Sequence, residues 1–144
     1  FNSDSCAAYK KSALNAVGGF PAQAPMAEDV IVAAKMLLHG LGIQYVAEAL
    51  VHHSHNFNLR QEFQRYFSIG AFHRRENWMI EQFQTPTREG FKFIRSEVAY
   101  LIRTKQWHWI PYAMCTWLAK WTGYKLGTNE SKLPTKWRSL LRYK

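Results

Sequence analysis

Apolar positions recur at helical spacing along most of the chain. After Glu28, apolar residues follow one helix face as far as Leu38, and Gly40 is a natural stop, so a helix is predicted between them. A shorter helix over SALNAV is predicted to end at Gly18-Gly19. A loop containing two prolines, residues 21–27, separates these two helices.

The second half of the chain predicts three further helices. Asn58 is placed to cap a long helix from Leu59 to about Phe83. Thr85-Pro86 opens the next one, which runs to about Lys105. An unusually aromatic helix then spans roughly Trp109 to Trp121 and stops near Gly123, and the tail from Leu126 is predicted to be irregular apart from a short turn after Pro134.

One segment has the character of a β-strand. Residues 43–54, IQYVAEALVHHS, are rich in β-branched and aromatic residues that partly alternate with small or polar ones. The predicted order is therefore a helix–strand core followed by three helices. This order is typical of the closing part of an α/β fold with a helical extension.

Charge is distributed unevenly between the two halves. Seven basic and seven acidic residues precede Arg88, whereas twelve basic and three acidic residues follow from it, so the later part carries the whole net charge of +9. Such asymmetry predicts an anionic partner for the later part. Neither a signal peptide nor a run of roughly 18 uncharged apolar residues is visible, which predicts a cytosolic location.

An acidic pair stands at the start of the predicted helix after the loop. Glu28-Asp29 includes one of only two aspartates in the chain, the other being Asp4. Acidic residues in a first helical turn interact favourably with the helix dipole, so capping alone accounts for the pair. A carboxylate at a helix mouth can also deprotonate an incoming hydroxyl group. Both interpretations are open at this level.

Three other constellations could carry chemistry. His53 and His55 fall on one face of the predicted strand and could contact a metal or a phosphate, or simply face solvent. Glu62, Arg65 and Tyr66 share one helix face, where they could hold a diphosphate or form a solvated ion pair. The segment from Lys105 to Lys125 interleaves tryptophans and tyrosines with lysines, as in an interfacial helix or an aromatic core helix. No nucleic-acid-binding motif accompanies it.

Taken together, these pieces resemble a known family. The elements are SCAAYK from Ser5, VGGFP from Val17, Ala27-Glu28-Asp29, YVAEA from Tyr45, VHHSH from Val51 and EFQRYFSIG from Glu62. Their order and spacing resemble the C-terminal half of inverting family 2 glycosyltransferases, and most of all the rhamnosyltransferase-like members that build O-antigen and related surface polysaccharides. The resemblance is strong over residues 1–75 and weak beyond them.

The resemblance implies a fold, a reaction and roles for residues. The fold would be the acceptor-side half of a GT-A domain over residues 1–75, with a helical, basic and aromatic-rich extension over residues 76–144. Asp29, beside Glu28, would be the general base, and His53, 24 residues later, would ligate a divalent cation such as Mg²⁺ or Mn²⁺. Contacts to the donor diphosphate or to the acceptor would come from His55, Arg65, Tyr66, Glu62, Ser5 and Cys6.

Two departures from the family pattern refine the expectation. Processive relatives carry Gln-x-x-Arg-Trp where this chain has Glu62-x-x-Arg65-Tyr66, which argues against processive polymerisation. The family also needs an Asp-x-Asp motif, which this chain lacks. The chain is therefore expected to be an acceptor-side fragment that is inactive alone.

The resulting hypothesis is a glycosyltransferase fragment. It would use a nucleoside-diphosphate sugar as donor and a saccharide or lipid-linked acceptor, on the inner face of the plasma membrane, with an anionic membrane surface and no nucleic acid as partner. The alternative is a non-catalytic module that binds a partner or associates with a membrane.

Overall fold

The computed structural model describes residues 4–21, 27–83 and 87–143. These residues form seven α-helices and three short 3₁₀ segments, with no β-strand among them. The chain divides into two compact units, Phe1–Asn56 and Phe57–Lys144. None of the described helices is both long and apolar enough to cross a lipid bilayer.

The first unit is built on two helices, α1 (Lys11–Ala16) and α2 (Glu28–Leu38), after a 3₁₀ turn at Asp4–Cys6. Gly18 and Gly19 follow α1 at φ 86° and 72°, a region that favours glycine because it lacks a Cβ. The Gly19 N–H donates to the Leu14 carbonyl at 2.9 Å, which closes the helix end. The predicted stop of α1 is confirmed.

The second helix ends as predicted, before Gly40. That glycine has φ 73°, and the next N–H, that of Leu41, donates to the Met36 carbonyl at 2.9 Å. The inner face of α2 buries Val32 and Met36 against Val17. Partly buried side chains complete this small core, namely Tyr9, Ala13, Leu14 and Leu41.

The predicted α/β fold, including the strand over residues 43–54 and the GT-A half-domain to which it would belong, is contradicted. Residues 41–58 run without strand or helix, and they make only a local turn, in which Ala49 N–H donates to Val46 O and Leu50 N–H to Glu48 O. A strand exists only when its backbone groups pair with a neighbour. The described residues contain no second strand to pair with, so β-propensity alone does not produce a sheet.

The second unit is a helical assembly. It contains α3 (Leu59–Arg75), α4 (Asn77–Phe83), α5 (Thr87–Arg103), α6 (Ile110–Thr128) and α7 (Thr135–Leu141), with 3₁₀ turns at Trp107–Trp109 and Glu130–Lys132. The predicted cap of α3 is confirmed. Asn58 Oδ1 accepts from the Gln61 N–H at 3.0 Å, and Gln61 Oε1 accepts from the Asn58 N–H at 3.0 Å, a reciprocal capping box.

The prediction of a single long helix from Leu59 to Phe83 is wrong, because the helix is interrupted at Glu76. This residue leaves the helical region, with φ −97° and ψ 43°. Its carboxylate accepts a hydrogen bond from Trp78 Nε1 at 2.8 Å, while the Asn77 side chain donates to Glu81. These local bonds start a separate helix, α4, and only Glu76 lies between it and the end of α3.

Helix α6 packs on α3 through glycines. An added Cβ on Gly123 would lie 3.2 Å from the Phe67 backbone nitrogen, and one on Gly127 would lie 2.9 Å from that of Ala71, with backbone carbonyl oxygens of α3 closer still. From the other side, a Cβ on Gly70 would meet the Tyr124 carbonyl. The predicted stop near Gly123 is therefore wrong: the glycines lie inside the helix, where they let two backbones approach.

The tail after Leu126 is more regular than predicted. It continues α6 to Thr128 and then forms α7, whose first residue follows Pro134. Gln64 Nε2 donates to the Leu140 carbonyl at 3.0 Å, and the Tyr143 N–H donates to Ser68 Oγ at 3.0 Å. These bonds hold α7 against α3, which the local sequence alone does not reveal.

Two predicted features fall outside the described residues: the loop over residues 22–26 and the helix start at Thr85-Pro86. Helix α5 itself is present from Thr87. The division of the chain after residue 75, into an acceptor-side part and an extension, stays a prediction.

Candidate functional site

The candidate residues fall into both units. Ser5, Cys6, Glu28, Asp29, His53 and His55 belong to the first unit, and Glu62, Arg65 and Tyr66 belong to the second.

Asp29 lies in the first turn of α2 and is buried, with 9% of its surface exposed. The residue at the N-cap is Ala27, which has no side-chain oxygen to accept from the free N–H groups. Asp29 takes part of that role, because its Oδ1 accepts from the Val30 N–H at 2.8 Å. The positive end of the helix dipole also favours a carboxylate here. Glu28, directly before it, is half-buried.

The backbone immediately before this acidic pair is strained. Ala27 has φ 62° and ψ 30°, the left-handed region, which an L-residue other than glycine enters only at a cost of about 1–2 kcal/mol. Its carbonyl accepts from both Val30 and Ile31 N–H at 3.1 Å, so the conformation is held by the first turn of α2. This geometry fixes the direction from which the chain enters the helix and hence the position of Asp29.

The histidines lie in the segment without regular structure. His53 and His55 are both exposed, and their rings meet edge to face with centroids 4.4 Å apart. Across residues 4–21, 27–83 and 87–143, no three side chains of His, Cys, Asp or Glu gather into a group that could hold a metal ion. By themselves, the described residues do not provide the set of ligands that a divalent cation needs.

Ser5 and Cys6 lie in the short 3₁₀ turn at the start of the described chain, and both are exposed. Cys6 is a free thiol, as is the exposed Cys115 on α6. The role of Ser5 and Cys6 in binding stays a prediction.

Glu62 and Tyr66 face α6. Glu62 Oε1 lies 3.4 Å from Lys120 Nζ, and the same ammonium lies 5.5 Å from the centre of the Tyr66 ring. Glu62 Oε2 is buried and has no hydrogen-bond partner among the described residues. The ion pair and the cation–π contact both link α3 to α6. Glu62 and Tyr66 therefore contribute to the packing of the two helices.

Arg65 turns away from that pair toward the chain end. Its guanidinium lies 5.6 Å from the Phe57 ring centre, and the Phe57 ring meets that of Tyr143 edge to face at 5.9 Å. The structure therefore separates Arg65 from the Glu62–Lys120 pair. Nearby, α3 and α7 border a groove of about 560 Å³ that contains two cations, Arg60 and Lys136, and five further residues: Gln61, Gln64, Ser139, Leu140 and Tyr143.

Two residues that sequence reasoning passed over form a polar contact in the second unit. His73 Nδ1 lies 3.1 Å from the Tyr124 hydroxyl, and burial lowers the pKa of His73 and raises that of Tyr124. Both side chains line a cleft of about 370 Å³ together with Arg74 and Lys132. The two residues are 51 positions apart, so no local sequence pattern predicts their contact.

Comparison with known proteins gives two close relatives. The chain is 47% identical over 134 residues to the O-antigen chain rhamnosyltransferase WbaN of Salmonella anatum, and 45% identical over 134 residues to the O-antigen chain rhamnosyltransferase RfbN of Salmonella typhimurium (strain LT2). In both cases the alignment covers 93% of this chain and 42% of the relative.

The chain is thus homologous to O-antigen rhamnosyltransferases along nearly all of its own length, and it spans less than half of theirs. No family model matches it, and no solved structure matches it. The predicted resemblance to O-antigen rhamnosyltransferases is confirmed as homology, and the chain is therefore related to enzymes. Membership of glycosyltransferase family 2 and the match to its C-terminal half stay predictions.

Proposed function

We propose that this chain is the acceptor-side, base-bearing part of an enzyme that transfers rhamnose from a nucleoside-diphosphate sugar to a saccharide or lipid-linked saccharide. The observation that carries the proposal is the homology along 93% of the chain to two proteins that are both O-antigen chain rhamnosyltransferases. The donor we propose is dTDP-rhamnose, and the product belongs to a bacterial surface polysaccharide.

The proposed chemistry centres on Asp29. Its carboxylate takes the proton from the acceptor hydroxyl, whose oxygen then forms a bond to the anomeric carbon of the donor sugar. The bond from that carbon to the diphosphate oxygen breaks as the new one forms, and the nucleoside diphosphate leaves with the electron pair. Attack opposite the leaving group inverts the anomeric configuration.

The local structure places this carboxylate at the N-terminus of a helix. Asp29 lies in the first turn of α2, at the positive end of the helix dipole, and its Oδ1 accepts from the Val30 N–H at 2.8 Å. Helix capping by Asp29 does not exclude a catalytic role, because a carboxylate has about four acceptor sites and the Val30 N–H occupies one of them. The strained residue before the pair, Ala27, holds the entry to the helix.

The remaining predicted contacts are secondary parts of the proposal. His53 would be a single ligand of a divalent cation, with the others outside the described residues, and His55 would contact the diphosphate or the acceptor. Arg65, Tyr66, Glu62, Ser5 and Cys6 keep the same proposed role in binding donor or acceptor.

The test is turnover of the Asp29→Asn variant in the full-length protein that contains this chain. Asparagine keeps an oxygen that can accept from the Val30 N–H, so the substitution removes mainly the charge. With dTDP-rhamnose and an O-antigen saccharide acceptor, we expect kcat to fall by about 10²–10⁴-fold while the KM for donor changes little.

Glu28→Gln is the matched control, because it neutralises the adjacent carboxylate in the same turn. A large loss in Glu28→Gln with near-normal turnover in Asp29→Asn would assign the base to Glu28 instead. Near-normal turnover in both variants, with unchanged circular dichroism, would favour a non-catalytic binding module.

A further inference from the structure

The outer face of α6 is apolar and exposed. Met114, Leu118 and Trp121 follow one another at spacings of four and three residues and therefore lie on one stripe of the helix. Leu118 is 60% exposed and Trp121 is 61% exposed. The opposite face of the same helix holds Gly123 and Gly127 against α3, so the stripe cannot be turned inward by rotating the helix.

Helix α5 also has an outer face that mixes apolar and basic residues. Phe91, Arg95 and Ile102 share that face, and all three are exposed, Phe91 at 73%. An adjacent face of α5 buries Leu101 and places Glu97 against α6, where Glu97 Oε2 accepts from Trp117 Nε1 at 2.9 Å. Helix α5 is thus anchored by one side only.

The charges of residues 90–143 are sorted by sign. Across residues 90–143 both acidic side chains are partly buried and bonded: Glu97 accepts from Trp117, and Glu130 pairs with Arg142 at 2.8 Å. Seven cations of the same range are exposed: Lys92, Arg95, Arg103, Lys105, Lys125, Lys132 and Lys136. The surface therefore combines large apolar side chains with positive charge and exposes no acidic side chain among these residues.

We propose that the outer faces of α5 and α6 dock on an anionic lipid bilayer surface. Tryptophan, leucine and methionine side chains insert at the boundary between headgroups and acyl chains, while lysine and arginine remain among the headgroups. Each cation near an anionic surface strengthens binding by about fivefold. The proposal goes beyond the transfer reaction and does not depend on it.

Charge complementarity favours an anionic lipid surface as the partner of these two helix faces. A nucleic acid would be held by stacking within a basic groove. The stripe on α6, in contrast, is uncharged over about two turns and meets a lysine, Lys125, only at its end. A second copy of the chain would bring the same exposed cations against one another. Both alternatives are outcomes of the test.

The experiment is co-sedimentation of the whole chain with vesicles of phosphatidylcholine alone and of phosphatidylcholine with 30% phosphatidylglycerol. We expect at least tenfold stronger binding to the anionic vesicles, weakened by salt. Leu118→Gln with Trp121→Gln is expected to reduce that binding at least tenfold, and Arg95→Gln with Arg103→Gln about 25-fold. Trp137→Gln, an exposed tryptophan on α7, is the matched control and should bind as the parent does.

A fluorophore at Cys115 reports the contact directly. Cys115 is exposed beside the stripe, and in a Cys6→Ser background it is the single free thiol. We expect its emission to shift to the blue with anionic vesicles and not with neutral ones. Circular dichroism of each variant checks that the helices remain.

Equal binding to both vesicle types, or full binding by the Leu118→Gln, Trp121→Gln variant, overturns the proposal. So does a dimer in sedimentation velocity that this variant dissociates, or binding to a DNA duplex in place of vesicles. A transfer assay with a water-soluble acceptor, made on the full-length protein that contains this chain, separates failure of docking from failure of the proposed catalysis.

Discussion

His73 on α3 and Tyr124 on α6 are joined by a hydrogen bond between Nδ1 and the hydroxyl oxygen, 3.1 Å apart. Their rings meet edge to face at 5.6 Å, beside the glycines where the two helix backbones approach each other. Burial disfavours the charged form of both groups, which lowers the pKa of His73 and raises that of Tyr124. The helix pair is therefore stabilised by the neutral forms of both side chains.

A pH dependence of stability follows from His73. Its folded pKa lies below the ordinary value of 6.5, so on acidification the unfolded chain binds this proton first. The contribution of neutral His73 is fully present above pH 6.5 and is lost as the pH falls through the folded pKa. We expect the free energy of unfolding in urea to drop between pH 7.5 and pH 5, and to drop less in His73→Gln. The same pH dependence of the unfolding free energy in the parent and in His73→Gln would contradict this assignment. The matched control is His108→Gln, at an exposed histidine.

The close approach of α3 and α6 predicts a strong effect of a single methyl group. Gly127→Ala places a Cβ against the Phe67 carbonyl and 2.9 Å from the Ala71 nitrogen, both of which are backbone atoms that cannot rotate away. We expect a loss of about 1–3 kcal/mol in the free energy of unfolding, measured in urea.

The matched control is Gly90→Ala in α5, where an added Cβ meets nothing within 4 Å. There alanine should stabilise the helix by up to about 1 kcal/mol. If both substitutions stabilised the protein, the helices could not be in backbone contact.

What the sequence predicts correctly is what adjacent residues determine. The ends of α1 and α2 depend on Gly18, Gly19 and Gly40, and the start of α3 on Asn58, all within a few positions of the bonds they make. Gly123 is also a glycine, but it lies inside α6 and contacts α3, which comes more than 50 residues earlier in the sequence. Local pattern cannot distinguish a glycine that ends a helix from one that admits a neighbour.

The candidate site shows the same limit. The acidic pair at the mouth of α2 is visible in the sequence, because its position depends on the helix that it begins. The surroundings of Glu62 are not visible in the sequence, because its partner Lys120 reaches it only when α6 packs on α3. The strand prediction for residues 43–54 is wrong for a related reason. A strand forms only by pairing with a second strand, which its own residues do not encode.

The capping box of α3 predicts a moderate and specific loss. Asn58→Ala removes the oxygen that accepts from the Gln61 N–H and leaves that donor without its partner. We expect a cost of about 1 kcal/mol in the free energy of unfolding. Asn58→Asp keeps the acceptor and should retain most of the stability. Equal losses in the alanine and aspartate variants would show that the cap bond is not the cause.

The ion pair between Glu62 and Lys120 predicts energetic coupling rather than a large net stabilisation. Their side chains are 14% and 26% exposed, so both are substantially removed from water. Lys120→Met leaves the Glu62 carboxylate without its cation while its Oε2 already has no hydrogen-bond partner. We expect a loss of about 1–3 kcal/mol, because an uncompensated buried charge is more costly than the absence of the pair.

Adding Glu62→Gln to the same chain should recover part of that loss, and the double-mutant cycle should give a coupling energy of at least about 0.5 kcal/mol. Lys125→Met, an exposed lysine on the same helix, is the control and should change stability by no more than about 0.5 kcal/mol. Strictly additive effects of the two substitutions would show that the 3.4 Å contact contributes nothing to holding α3 on α6.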